Sequence, residues 1–317
     1  MIDTEFPAES KFDFLPENTS MGGCSFLAIQ EGCNNFCTYC VVPYTRGIET
    51  SRPVEDIIKE ARKLVAEGSV EINLLGQNVN SYHGEDKNGK ERNLAYLLRQ
   101  LNEIEGLERL RYTTSYPADV DEDLIACHRD LKKLMPYLHF PVQSGSDKIL
   151  KAMNRRHTRG QYLDVVEKLK EANPELGFSS DFIVGFPGET DEDFEQTLDL
   201  VRKVGFIQAF SFKYSRRAGT PAALMPNQVE EKIKKERLSI LQDLLFSYQL
   251  KFNKESVGKI MPVLFDIKGR HKGELIGRTP WMQNVHAELG KEYCNKIVNI
   301  KMIDATVNSL SGVKEGR

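Results

Sequence analysis

Apolar and polar positions follow two different textures along this chain. From residue 25 to about 253, short apolar runs are each followed by stretches of helical period. "SFLAIQ" (25–30) reads as a buried strand and "RPVEDIIKEARKLVAEG" as the helix after it. Pro53 suits the first turn, Glu55 and Asp56 the positive end, and Gly68 the C-cap. The pairing recurs. A strand over 70–76 precedes a helix over about 93–105, and one over 109–115 precedes a helix over about 121–130. A strand over 137–143 precedes helices starting near Asp147 and at a Thr158 cap. A strand over 177–185 precedes a helix whose Thr190 and Asp193 resemble a capping box, and one over 206–215 precedes a long helix over roughly 227–253. Six β-α units in series predict a parallel sheet with outer helices. Six fall short of the eight that close a barrel, so the expectation is an α/β partial (βα)6 barrel, with its chemistry where the strands end.

After Lys254 the texture changes. "VGKIMPVLFDIKG", "GELIGRTPWMQNVHAEL" and "KIVNIKMIDATVNSLSGV" are short, glycine-punctuated strand patterns without helical period. They predict a small all-β barrel of the oligonucleotide-binding (OB) type. The chain thus divides into a lead-in segment (1–18), a core domain (19–251) and a C-terminal barrel (254–317). Charge follows that division. Residues 254–317 hold 11 Lys and Arg against 7 Asp and Glu, while residues 1–253 hold 32 against 39. A basic tail on an acidic body hints at a polyanionic partner.

Composition narrows the class. No apolar run approaches the ~20 residues that span a bilayer. The start, "MIDTEFPAESKFDFLPENTS", is acidic and lacks the apolar region of a signal peptide. A cytoplasmic protein is expected, with no membrane contact. Its six cysteines are then metal ligands or buried thiols rather than disulfides.

Three of them, Cys33, Cys37 and Cys40, fall on the loop after the first strand with C-x3-C-x2-C spacing. Cys37 and Cys40 alone could form a redox pair or half of a zinc site, but no second pair follows. Three thiolates on one loop suit three irons of a four-iron cluster that normally takes four cysteines, leaving one iron open to a chelating substrate. Cys24, Cys127 and Cys294 are scattered and read as ordinary buried thiols. No histidine shows ligand spacing.

That loop, with Tyr39 before its last cysteine, resembles the radical S-adenosylmethionine (SAM) enzymes. There the amino and carboxylate groups of SAM chelate the open iron, and an electron from the cluster splits SAM into methionine and a 5′-deoxyadenosyl radical. "EGCNNFCTYCVVPYTRGIETSRP", "HFPVQSGSDKILKAMNRRHTR", "SSDFIVGFPGETDEDFEQTLDLV" and "FSFKYSRRAGTPAA" are similar to the methylthiotransferase branch. They are closest to the tRNA-modifying type that makes 2-methylthio-N6-isopentenyladenosine beside the anticodon, at position thirty-seven. The alternatives are a relative that modifies a ribosomal protein and a catalytically incomplete tRNA-binding fragment. "LIGRT" and "NSLSG" in the tail resemble the TRAM domain, a small RNA-binding barrel.

The resemblance carries further expectations. It implies a radical SAM partial barrel holding a 4Fe-4S cluster and SAM, with tRNA as substrate and an electron donor such as a flavodoxin or ferredoxin. A monomer is expected. Members also carry a preceding domain with three cysteines for a second, auxiliary 4Fe-4S cluster, and those ligands are expected to be absent here. Gly76 and Gln77 map to the loop that meets the SAM amino group, and Ile183 to Gly185 to the strand that meets the adenine. Gln143 and Asp181, at strand ends, are candidates for the ribose or methionine end. No side chain is assigned a catalytic acid or base role. Arg46, Arg52, Arg155, Arg156, His157, Arg216 and Arg217 are candidates for the anticodon loop. Lys259, Lys268, Arg270, Lys272 and Arg278 are candidates for phosphates, and Trp281 for base stacking or the barrel core.

Overall fold

The computed structural model describes residues 22–316; the lead-in segment lies outside the described residues. Six strands follow the predicted order: β1 (Cys24–Ala28), β2 (Glu71–Leu75), β3 (Arg109–Tyr112), β4 (Tyr137–His139), β5 (Gly177–Val184) and β6 (Gln208–Lys213). They form two parallel three-stranded sheets, β1-β2-β3 and β4-β5-β6. The sheets meet where Leu110 of β3 pairs with Leu134, just before β4. β4 is only three residues long, shorter than the predicted 137–143. Pro136 and Pro141 flank it and lack the N–H that a ladder needs. β1 and β6 are therefore the two free edges of an incomplete barrel.

The intervening helices are α1 (Val54–Ala66), α2 (Leu94–Asn102), α3 (Glu122–Asp130), α4 (Asp147–Ala152), α5 (Arg159–Ala172), α6 (Asp191–Val204) and α7 (Glu231–Ser256). The Thr158–Gln161 and Thr190–Asp193 capping boxes are both formed. Alternation along the strands sorts the residues by face. Leu27, Ile72, Leu74 and Leu110 join Ile57, Leu97, Leu98 and Leu101 in the main core. Phe26, Asn73 and Arg111 pair on the other face of one sheet, and Asp181 with Phe210 on that of the second.

Five further strands, β7 (Ile260–Lys268), β8 (Glu274–Arg278), β9 (Asn284–Glu288), β10 (Lys296–Ala305) and β11 (Leu310–Lys314), close a barrel in the order β7-β8-β9-β11-β10. Val263, Phe265, Val285, Ile300 and Leu310 fill it. The barrel docks against the strand starts of the first sheet. Arg109 donates to the carbonyls of Arg278 (3.0 Å) and Pro262 (2.7 Å), and Arg111 to those of Pro280 (2.8 Å) and Thr279 (3.1 Å). Both guanidinium groups are buried beside the carboxylate of Glu71, at 3.6 and 3.2 Å. Gln283, at the base of the barrel, donates to Asn253 and Ser256 of α7.

Candidate cofactor site and basic surface

The cysteine loop leaves β1 through Gly32, whose φ of +81° lies in the left-handed region. A Cβ there would stand 2.1 Å from the Ile48 carbonyl oxygen, so only glycine fits. The Gly32 N–H donates to Gln77 Oε1 (2.7 Å), while Gln30 Oε1 accepts from the N–H groups of Gln77 (3.0 Å) and Asn78 (3.1 Å). The loops after β1 and β2 are thereby tied together. From the other side the C-terminus of α4 holds the cysteine loop. Thr38 donates from its N–H to Met153 O (3.1 Å) and from Oγ1 to Ala152 O (2.9 Å), and Asn154 donates to Phe36 O (3.0 Å).

These braces put Cys33, Cys37 and Cys40 on one cavity of about 310 Å³, with Gly76, Gln77, Gln143 and Asp181 in its wall. A second cavity of about 340 Å³ shares Tyr39, Cys40, Gln143 and Asp181 and extends to Ile183, Phe212 and Arg217. All three thiols are half-buried and none is in a disulfide. Burial raises the pKa of Cys33 and Cys40. Each sulfur also faces one N–H donor: Asn35 Nδ2 at Cys33 (3.5 Å), the Val42 N–H at Cys40 (3.5 Å), and Arg155 Nη1 at Cys37 (3.9 Å). Such donors favour anionic sulfur. Among the described residues, no three His, Cys, Asp or Glu converge to hold a single metal ion. The loop's donor set instead suits three separate irons of one cluster.

The other expected cofactor residues divide. Gln143 has φ +75°; its N–H donates to Asp181 O and its carbonyl accepts from the Ile183 N–H, so its backbone splices onto β5 while the residue lines both cavities. Asp181 stands 3.5 Å from His139 Nε2. Gly185 lines neither cavity: its N–H donates to Glu189 Oε1 (2.8 Å), and a Cβ there would meet Lys234 Cγ at 2.3 Å. It serves the turn after β5. Sequence reasoning missed Asn78, Thr114, Ser115, Tyr116 and Pro141, which complete the first cavity. Thr114 takes φ +64°, so Phe36, Thr114 and Gln143 are three strained non-glycine positions around one site. A larger cavity, about 450 Å³, lies beside Arg92, Tyr96 and Arg99 and contains no cysteine.

Several cationic candidates are already engaged. Arg155 turns into the cavity wall instead of facing solvent, because Asn154 (φ +58°) reverses the chain after α4. Arg52 bonds to Ala28 O and Glu60, and Arg278 pairs with Asp266. His157 is buried against Tyr116 and Tyr162. Trp281 donates to Glu175 O (2.7 Å) and meets Phe252 edge-on, so it is part of the joint between barrel and core and not a stacking platform. Arg46 pairs with Glu31, and Arg156 with Asp119. Arg216, Arg217, Lys259, Lys268, Arg270 and Lys272 are exposed. Of the thiols expected to be buried, only Cys127 is; Cys24 is half-buried and donates to Glu71 (3.5 Å), and Cys294 is half-buried beside Asn295.

Residues 27–201 match the Radical SAM superfamily model. A tRNA-2-methylthio-N(6)-dimethylallyladenosine synthase of Rickettsia canadensis (strain McKiel) is 55% identical over 314 residues, covering 98% of this chain and 70% of the relative. The protein of that name from Wolbachia pipientis wMel is 55% identical over 317 residues, covering 98% and 72%. The chain belongs to this family of radical SAM enzymes. Members of the superfamily are recognisable by fold at much lower identity. The radical S-adenosylmethionine methyltransferase TsrM from Kitasatospora setae, solved with cobalamin and a [4Fe-4S] cluster, is 18% identical with a TM-score of 0.52, over 64% of this chain and 39% of that one. Its complex with tryptophan and a SAM analogue aligns at 14% identity and the same TM-score, over 72% and 52%. That likeness concerns the fold alone. Among the described residues no helix is long and apolar enough to cross a membrane.

Proposed function

We propose that the chain methylthiolates N6-isopentenyladenosine beside the tRNA anticodon, with SAM and a 4Fe-4S cluster as cofactors and with the inserted sulfur coming from a second cluster or other sulfide-bearing donor held outside the described residues. The observation that carries this reading is the convergence of three half-buried, unbridged thiols on one cavity with Gln77, Gln143 and Asp181. Cys33, Cys37 and Cys40 would hold the cluster. When bound, a cluster with one open iron supplies the electron and the coordination site that activate SAM. Gly76 and the backbone of Gln77, whose side-chain oxygen is held by the Gly32 N–H, would meet its amino-acid end. Asp181 and Gln143 offer polar groups for the ribose, and Tyr39 and Ile183 form an apolar wall beside the second cavity. That wall excludes water from the reacting end.

The C-terminal barrel is read as a TRAM-type module, and Lys259, Lys268, Arg270 and Lys272 as its phosphate contacts. Arg46, Arg156, Arg216 and Arg217 are assigned to the anticodon loop. Cys24, Cys127 and Cys294 lie on three separate elements, so an auxiliary cluster would need other ligands. A flavodoxin or ferredoxin as donor and a cytoplasmic monomer complete the proposal. The test is anaerobic incubation with SAM, dithionite and isopentenylated tRNA. Formation of 5′-deoxyadenosine, followed by mass spectrometry, supports the cluster and SAM site, while 2-methylthio-N6-isopentenyladenosine is not expected from this chain without an added sulfur donor. Methylthiolated ribosomal peptide in place of modified nucleoside would move the substrate to protein, and no SAM cleavage by an iron-replete chain would end the catalytic reading.

A further inference from the structure

Among the described residues Arg155 is placed unlike any other arginine. Its Nη2 donates to Pro141 O (2.5 Å), and its guanidinium carbon lies 4.2 Å from the Tyr116 ring centroid. Nη1 points at Cys37 Sγ (3.9 Å), and Nε is buried without a hydrogen-bond partner. No carboxylate pairs with it among the described residues. The ionisable groups around it are Tyr39, Cys37 and Tyr116, with Cys40, His157 and Tyr162 also within reach of its charge. Arg155 is half-buried, and a cation partly withdrawn from water without a counter-anion is disfavoured unless an anion is to be held beside it.

We infer that Arg155 is a positioning residue that sets the reduction potential of the cluster held by Cys33, Cys37 and Cys40. The inference rests on the cofactor reading above. Adding one electron makes a thiolate-ligated cluster more negative. A fixed positive charge beside one ligating sulfur stabilises that reduced state and raises the potential, as hydrogen bonds to sulfur do. The low-dielectric wall of Tyr116 and Pro141 strengthens the effect. Stacking on Tyr116 and the bond to Pro141 O hold the guanidinium in place, so the charge is present before reduction. Asn35 and the Val42 N–H offer Cys33 and Cys40 only neutral donors. The Arg217 charge also acts on Cys40 from the second cavity, but among the described residues Arg155 is the charged side chain whose N–H points at a loop sulfur within hydrogen-bonding distance.

The experiment compares wild type, Arg155→Gln and Arg155→Lys, each reconstituted anaerobically as the full chain. Iron is counted, and reduction is followed by electron paramagnetic resonance without SAM. Arg155→Gln is expected to keep its iron. Its ratio of reduced to oxidised cluster at a fixed potential should fall at least tenfold, equivalent to 59 mV for a one-electron couple. Arg155→Lys, which keeps the charge, should stay within threefold of wild type. An iron-replete Arg155→Gln with an unchanged potential overturns the inference, including the case in which only SAM binding weakens. If Arg155→Gln loses its cluster, Arg155→Lys decides: a tenfold fall despite the retained charge overturns it, and a potential near wild type supports it. Wild type without four irons would sink the cofactor reading itself, and this inference with it.

Discussion

Gln77 accepts the backbone N–H of Gly32 on its side-chain oxygen at 2.7 Å, joining the loops after the first two strands. The bond spends the side chain that family likeness would give to SAM. Gln77→Ala is therefore expected to loosen the cysteine loop as well as the SAM pocket, at about 1 kcal/mol for one lost hydrogen bond. Gly32→Ala should be far worse, since its Cβ would meet Ile48 O at 2.1 Å. Iron content after reconstitution checks both. Gly219→Ala also has positive φ, +81°, but nothing lies within 4 Å. It should cost only about 1–2 kcal/mol of backbone strain and leave the iron alone. Full iron in Gly32→Ala would contradict the loop geometry.

Each of Cys33→Ala, Cys37→Ala and Cys40→Ala should remove most of the iron, because three ligands leave none to spare. Cys24→Ala, Cys127→Ala and Cys294→Ala should retain it. Four irons kept in Cys37→Ala would argue against the cluster site.

Grouping Cys33, Cys37 and Cys40 needed only local spacing, and Gln143 and Asp181 followed from strand ends, so this part of the site was legible in the chain. The six strands, the Thr158 cap and the Thr190–Asp193 capping box were legible for the same reason: periodicity and capping are local. What was hidden depends on distant neighbours. Thr114, Ser115, Tyr116 and Pro141 join the cavity only because separate loops converge. Arg155 and Arg156 are adjacent in sequence, yet the turn at Asn154 sends one inward and leaves the other at the surface. Arg278 looked free, and Trp281 fitted either base stacking or the barrel core, because Asp266 and Glu175, their partners, become neighbours only through pairing and docking.

Glu71 lies between two buried guanidinium groups at the joint with the barrel. Glu71→Gln removes the charge and strands both cations. A loss of about 3–5 kcal/mol in unfolding free energy is expected. A loss under about 1 kcal/mol in denaturant titration would mean that the carbonyls of Pro262, Arg278, Thr279 and Pro280 satisfy the arginines by themselves.

Burial lowers the pKa of His128 from 6.5 to about 4. The folded chain therefore resists the proton that the unfolded chain accepts. The stabilisation is complete above pH 6.5, declines as pH falls from there, and is gone near pH 4. Its size is about 3 kcal/mol. Burial, with Arg155 and Arg156 nearby, lowers His157 to about 3, which acts in the same direction. Denaturant unfolding at pH 7 and pH 5 should show the loss, and His128→Gln should reduce it. Equal slopes for wild type and variant would discount His128.

Lys268, Arg270 and Lys272 lie on or beside the β7–β8 turn and are exposed. Changing all three to Glu should weaken tRNA binding across sequences. It should also flatten the dependence of log affinity on log salt by roughly 2–3, near one for each phosphate no longer neutralised. Unchanged affinity at moderate salt would move the RNA-binding surface elsewhere.

The barrel touches the starts of β1–β3, whereas the cysteine cavity opens at their ends. The five residues of β2, Glu71–Leu75, separate the two zones by about 17 Å. If RNA is held by the barrel as proposed, it must reach at least that far to present a base at the cavity. On the proposed reading the molecule would work as a calliper: a hairpin too short to span the gap could engage one jaw only, however well its bases fit. Selection among RNAs would then depend on how far the reactive adenine stands from the stem that the barrel holds.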